Sequence, residues 1–207
     1  MKKGFTLAEV IVTIIVLGII AVVVVPNLYQ KYQRRITVTK VKKFYSALTE
    51  AYNQYLLANN NVALDISRYP DNRQGAENMY NDIFAPYFQI KYVAGSNTAN
   101  KEKIMKSTTI KKLSGVAHGV NYTNRDIYYA FQLKDGSVVW VRGRWYRPII
   151  FYDVNGKGGD YQWGKDVFMF SINPANPREI LPYNEISGNS NLSLKNASST
   201  NCEKVGA

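Results

Sequence analysis

The 207-residue chain has one cysteine, Cys202, and one histidine, His118. A single cysteine cannot close an internal disulfide, so the fold does not rely on oxidative stapling. The free thiol, near the end of a polar stretch, reads as incidental. With one imidazole, in Gly115-Val-Ala-His-Gly119, zinc or catalytic centres built from several His or Cys side chains are excluded. Acids are scarce too: 15 Asp and Glu stand against 26 Lys and Arg, for a net charge of +11. That balance permits attraction to nucleic acid or anionic lipid and says nothing about fold. No internal repeat is evident. An Ala-x-Ala-like site is missing after the N-terminal apolar run, so this is not the pattern of an ordinary secretory signal.

The most informative stretch is the beginning, Met1-Lys-Lys-Gly-Phe-Thr-Leu-Ala-Glu-Val, which opens an apolar run from Phe5 to Val25 ended by Pro26. At about 1.5 Å per residue the run spans roughly 31 Å, enough to cross a bilayer core. It holds one carboxylate, Glu9. An acid near hydrocarbon costs on the order of 2.5–3.5 kcal/mol, which makes it a functional candidate. A second reading is structural: a Glu in the first helical turn is favoured by the helix dipole and can snorkel to the headgroups. The spacing alone leaves both readings open.

Gly4-Phe5-Thr6-Leu7-Ala8-Glu9-Val10 resembles the cleavage and methylation site of type IV prepilins and of the pseudopilins of type II secretion. In that family a basic leader ends at glycine, a phenylalanine usually follows, and a glutamate comes four residues later; the matching positions are Gly4, Phe5 and Glu9. Pro26 stands where many members carry a helix-breaking proline, and Ala8 where a larger aliphatic is common. The resemblance covers about the first thirty residues. It implies a leader of residues 1–4, cleavage between Gly4 and Phe5, N-methylation of Phe5, and an assembly role for Glu9. It also implies a prepilin peptidase, an assembly ATPase and a platform protein as partners. Because the cut precedes the run, the apolar helix would stay on the mature protein. Lys31, Arg34, Arg35, Lys40, Lys42 and Lys43 outnumber Lys2 and Lys3, so a count of positive charges places the C-terminal side inside. The resemblance implies the opposite orientation.

Beyond Pro26 the pattern becomes amphipathic. Val38, Val41, Phe44, Tyr45, Leu48, Ala51, Tyr52, Tyr55 and Leu56 recur at helical spacing. The spacing predicts one long helix from about Phe5 to Asn59, weakened or kinked at Pro26, with a transmembrane part (5–25) and an amphipathic part (26–60). Residues 61–186 form the expected globular domain, and 187–207, rich in Asn and Ser, the expected flexible tail. A short helix is predicted over Ala76–Gln89. Four strands are predicted over Ile127–Leu133, Val138–Arg142, Pro148–Asp153 and Asp166–Ile172, the first two joined by an Asp135-Gly136 hairpin turn. The fold class is therefore α+β: a long helix packed on an antiparallel sheet of about four strands, as in pilins. The 16 tyrosines suit either half-wet interfaces or a small core.

Two stretches of the domain carry candidate chemistry. Asp153-Val-Asn155-Gly-Lys-Gly-Gly-Asp160-Tyr-Gln-Trp-Gly-Lys-Asp166 offers oxygens on a glycine-rich loop, as a calcium site would. As an EF-hand it fails, since Lys157 takes a ligand place and Gly164 the place of the bidentate acid. Asp153, Asn155, Asp160 and Asp166 are the candidate ligands, with weak or absent calcium dependence expected. A strand connection whose Asp and Asn cap turns is the alternative. Gly159…Gly164-Lys165 resembles a phosphate loop but is followed by Asp166 and a strand-like segment, which excludes it. The lysines at 101, 103, 106, 111 and 112 could face nucleic acid, or form an ordinary solvated surface.

The chain thus reads as a structural subunit, not an enzyme: an inner-membrane prepilin, N-terminus cytoplasmic, that polymerises with itself or with related subunits into a pilus or pseudopilus. The alternatives are a DNA-binding minor pilin of an uptake system and an uncleaved membrane protein with a single span.

Overall fold

A computed structural model describes Gly4 and residues 6–60, 65–112, 114–144, 148–172 and 179–182. Phe5 and the expected tail, 187–207, lie outside the described residues. In chain order the elements are α1 (Leu7–Ala58), α2 (Arg73–Met79) running into a π-helical turn (Tyr80–Phe84), β1 (Ile90–Gly95), α3 (Thr98–Ile104), β2 (Thr109–Lys111), β3 (Ala117–Asn121), β4 (Tyr129–Leu133), β5 (Val138–Arg142), β6 (Ile149–Asp153), β7 (Val167–Ile172) and β8 (Ile180–Pro182). Two compact units result, Met1–Lys40 and Val41–Ala207.

The first unit is the leading part of α1. Between Leu7, 78% exposed, and Val25, 60% exposed, its side chains are apolar on every side apart from Glu9 and Thr13. By length and composition this helix can cross a membrane. The helix continues through Pro26. Proline cannot donate to the carbonyl four residues back; one position on, the Asn27 side-chain amide donates to the Val23 carbonyl at 3.0 Å. At its far end α1 stops where the Asn triplet predicts. Asn59 Nδ2 donates to Tyr55 O at 2.8 Å, and Asn60 takes φ +55°, the left-handed conformation that ends helices.

The second unit is built on a six-stranded antiparallel sheet ordered β1-β4-β5-β6-β7-β8, with β2 and β3 pairing separately. The expected four strands are its centre, and β1 and β8 extend it at both edges. Alternation puts successive side chains on opposite faces, and both faces are covered. Phe131, Val139, Val141, Ile150, Tyr152 and Phe170 face one core with Phe44, Leu48 and Tyr52 of α1 and Met79 of α2. Ala130, Trp140, Phe151 and Met169 face a second core with Ile104, Ile110, Tyr122 and Trp163. The sheet is therefore a middle layer, which explains why β5 and β6 read as continuous apolar runs.

Rings fill both cores. Phe44 stacks on Tyr152 at 4.0 Å and Trp140 on Phe151 at 5.3 Å, pairs worth about 0.5–1.5 kcal/mol each beyond burial. Among the described residues eight tyrosines are buried, Tyr52, Tyr69, Tyr122 and Tyr161 included. The tyrosine content thus serves the interior to a large degree. The helix expected over 76–89 starts earlier, at Arg73, where the Asn72 side chain caps it by accepting from Gly75 N at 3.0 Å. It ends in the π turn, before Pro86.

Candidate functional site

The N-terminus of α1 is organised by Thr6 and Glu9. Glu9 Oε2 accepts from Thr6 N at 2.8 Å and from Thr6 Oγ1 at 2.9 Å, while Glu9 N donates to Thr6 Oγ1 at 3.3 Å. This is a reciprocal capping box, in which the two side chains satisfy backbone donors that an apolar helix start would leave orphaned. Glu9 O in turn accepts from Thr13 Oγ1 at 2.6 Å. The Thr-x-x-Glu spacing is legible in the sequence, but Thr6 was not singled out there. Gly4 sits just ahead of the box, and a Cβ built on it would meet nothing within 4 Å. Among the described residues nothing therefore demands a glycine at that position. Phe5, the other expected processing residue, lies outside the described residues.

The loop between β6 and β7 gathers three of its four candidate ligands. Asp153, fully buried, accepts through Oδ1 from Asn155 N at 3.0 Å and Gly156 N at 2.9 Å. Asn155 Nδ2 donates to Asp166 Oδ1 at 2.8 Å. The turn-capping reading of these residues is thus realised. Asp160 departs from the expectation: it is exposed and pairs with Lys165, at the far side of a φ-positive Tyr161. Lys106 Nζ donates to the Gly159 carbonyl.

Two buried carboxylate oxygens, Asp153 Oδ2 and Asp166 Oδ2, have no hydrogen-bond partner. Burial pushes the Asp153 carboxyl up to about 7, against the two backbone N–H groups that favour its charge; the Asp166 carboxylate adds to the rise and the Lys106 ammonium opposes it. Among the described residues no three His, Cys, Asp or Glu side chains are grouped to hold a metal. A hard cation here would have two carboxylates at most, where calcium wants six to eight oxygens. The donor set fits calcium poorly.

The lysine-rich stretch is a solvated face only in part: Lys103 and Lys111 are exposed, Lys106 and Lys112 half-buried. Lys101 is fully buried and its Nζ donates to the Arg125 carbonyl at 2.6 Å; burial lowers its ammonium to about 8, with the Asp126 carboxylate opposing. Lys103 donates to Asn100 Oδ1 at 3.0 Å and lies over the Tyr92 ring. Lys101 and Lys106 thus act as struts, from α3 to the turn before β4 and from the segment after α3 to the β6–β7 loop. Such roles were not readable from charge alone.

A membrane-length apolar helix with a carboxylate in its first turn leads into a helix-packed antiparallel sheet, a pilin-like α+β arrangement, and residues 1–25 match the prokaryotic N-terminal methylation motif. The chain belongs to the DUF6613 family, described as a family of unknown function, which it matches over residues 27–206. It is also homologous to proteins named type II secretion system core protein G. The Aeromonas hydrophila protein is 39% identical over 80 residues, 39% of this chain and 50% of that protein. The Klebsiella pneumoniae protein is 39% identical over 79 residues, 37% of this chain and 49% of that protein. The chain spans about half the length of the curated relatives it matches. No solved structure matches it.

Proposed function

We propose that the chain is a pilin or pseudopilin: a non-enzymatic subunit held in the bacterial inner membrane with its N-terminus cytoplasmic, processed at its leader and polymerised through α1 into a fibre. In this reading a prepilin peptidase cuts between Gly4 and Phe5 and methylates the new amine, and an assembly ATPase and platform protein drive growth of a self or mixed polymer. The observation that carries it is the N-terminus of α1, where one acid, Glu9, is fixed by Thr6 at the start of an otherwise apolar, exposed helix. The homology to core protein G supports the same class.

Gly4 supplies the test. A Cβ there meets nothing within 4 Å among the described residues, so a requirement for glycine at this position would point to the pocket of a processing enzyme. A Gly4→Leu chain is expected to accumulate in membranes at precursor mass. Maturation of that variant to the wild-type mass would reject the processing site, and an uncut N-terminus on the wild-type chain would favour the uncleaved single-span alternative. Nucleic-acid binding by the lysine-rich stretch draws less support, because Lys101, Lys103 and Lys106 are already engaged within the domain.

A further inference from the structure

Between Glu9 and Glu50 the chain carries Lys31, Arg34, Arg35, Lys40, Lys42 and Lys43 and no acid at all. Lys31, Arg34 and Arg35 lie on the first unit's helix, exposed, at spacings of three and four that place them on one face. Tyr29 and Tyr32 interleave with them and are 61% and 60% exposed. This basic and aromatic turn follows the apolar run directly. At 1.5 Å per residue Lys31 stands about 9 Å past Val25 along the axis, and Arg35 about 15 Å past it. The polar layer of a bilayer reaches roughly 5–8 Å beyond the hydrocarbon on each side. Helical side chains tilt toward the N-terminus, here toward the bilayer, so long basic chains cover the difference. Tyrosine rings favour the same depth.

We propose that Tyr29, Lys31, Tyr32, Arg34 and Arg35 form a clamp for anionic phospholipid headgroups in the leaflet at the C-terminal end of the apolar run. The proposal rests on the reading that this run crosses a bilayer. The two guanidinium groups can each grip a phosphate through paired N–H donors, and Lys31 adds a point charge. No carboxylate of the helix between Glu9 and Glu50 competes for them. The bases that run against the usual charge asymmetry of membrane proteins thereby acquire a role: they hold the inserted subunit at a fixed depth. A base near an anionic surface is typically worth about a five-fold gain in binding, and salt screens it.

The test uses the full chain, extracted from mixed vesicles of phosphatidylglycerol and phosphatidylcholine, with retained lipids counted by native mass spectrometry. The wild type is expected to keep phosphatidylglycerol over phosphatidylcholine. A Lys31→Gln/Arg34→Gln/Arg35→Gln chain is expected to lose that preference by about a hundred-fold, with helical content unchanged by circular dichroism. Equal retention of both lipids by the wild type, or an unchanged preference in the triple variant, overturns the clamp. So does a wild type without preference whose triple variant fails only in fibre formation, which would assign the face to an acidic neighbouring subunit. Release of the wild-type chain from membranes by alkaline carbonate would instead reject the membrane-spanning reading itself.

Discussion

Arg142 and Asp71, 71 residues apart in sequence, meet in a two-point ion pair: Nε lies 2.7 Å from Oδ1 and Nη2 2.8 Å from Oδ2. The guanidinium also lies over the Tyr128 ring, 5.6 Å from its centroid, and its side chain is 15% exposed. One residue of β5 thereby ties the segment ahead of α2 to the sheet and touches the turn before β4.

Arg142→Lys keeps the charge but loses the planar fork and the ring contact. The expected loss is about 1.5–3 kcal/mol of stability, the usual value of hydrogen bonds to charged groups. It should be read as a lower urea midpoint at unchanged slope for the full chain in detergent. An unchanged midpoint would show the pair to be no stronger than an ordinary surface contact.

Next to this pair the chain makes a closer approach. A Cβ on Gly143 would stand 2.4 Å from the Pro70 carbonyl oxygen and 2.9 Å from that of Tyr69. Backbone, not a flexible side chain, fills the space. Gly143→Ala is therefore expected to destabilise by about 2–3 kcal/mol, the upper range for overpacking. Thermal unfolding checks it, with Gly18→Ala as control, since a Cβ there meets nothing within 4 Å.

The contrast between what the sequence disclosed and what it hid has physical causes. The spine was legible because Phe44, Leu48, Ala51, Tyr52 and Tyr55 repeat at helical spacing over a long stretch. The Asp135-Gly136 turn was legible because it needs φ > 0, and Gly136 has φ +87°. Strand β1 was hidden: bulges break its pairing with β4 at two places, and its side chains are only partly covered. Helix α3 offers no apolar period, since it is held by the Asn97 cap and by the burial of Lys101. Loop composition singles out Asp153, Asn155, Asp160 and Asp166 together, and the fold brings the first two and Asp166 into one bonded turn. The departure of Asp160 depended on Lys165, a partner no spacing rule selects.

The buried Asp153 carboxyl sets a pH dependence. Its proton leaves near 3.8 in the unfolded chain and at about 7 in the folded one. Between those values the folded state binds more protons, so stability falls as pH rises from about 4 to about 7 and stays lower above. Asp153→Asn is expected to flatten this slope while keeping the loop bonds to the side-chain oxygen. Melting temperatures of both chains across that range check it. Calcium is expected to shift the wild-type melting temperature little, because only two buried carboxylates face each other's neighbourhood and Asp160 is elsewhere. A rise of many degrees on adding calcium, lost in Asp153→Ala, would reverse the assignment.

The last expectation concerns Glu9, whose carboxylate has two distinct uses. Within the chain it closes the capping box with Thr6. Between chains, cleavage after Gly4 would create a charged amine on Phe5, and staggered helices in a fibre could bring the Glu9 of one subunit to the amine of the next. In apolar surroundings an unpaired charge costs several kcal/mol, so such a pair specifies register more than it adds stability. The two uses separate by substitution. Glutamine serves a capping box as glutamate does, but carries no charge. Thr6→Ala removes the box and leaves the carboxylate. If the charge governs assembly, Glu9→Gln and Glu9→Ala should both sharply reduce fibres, while membrane insertion and cleavage continue and Thr6→Ala still assembles. If capping governs it, Thr6→Ala and Glu9→Ala should fail together and Glu9→Gln should assemble normally. Electron microscopy of fibres, with immunoblots of the membrane pool as control, reads the difference. Wild-type fibre numbers in Glu9→Gln would end the intersubunit role.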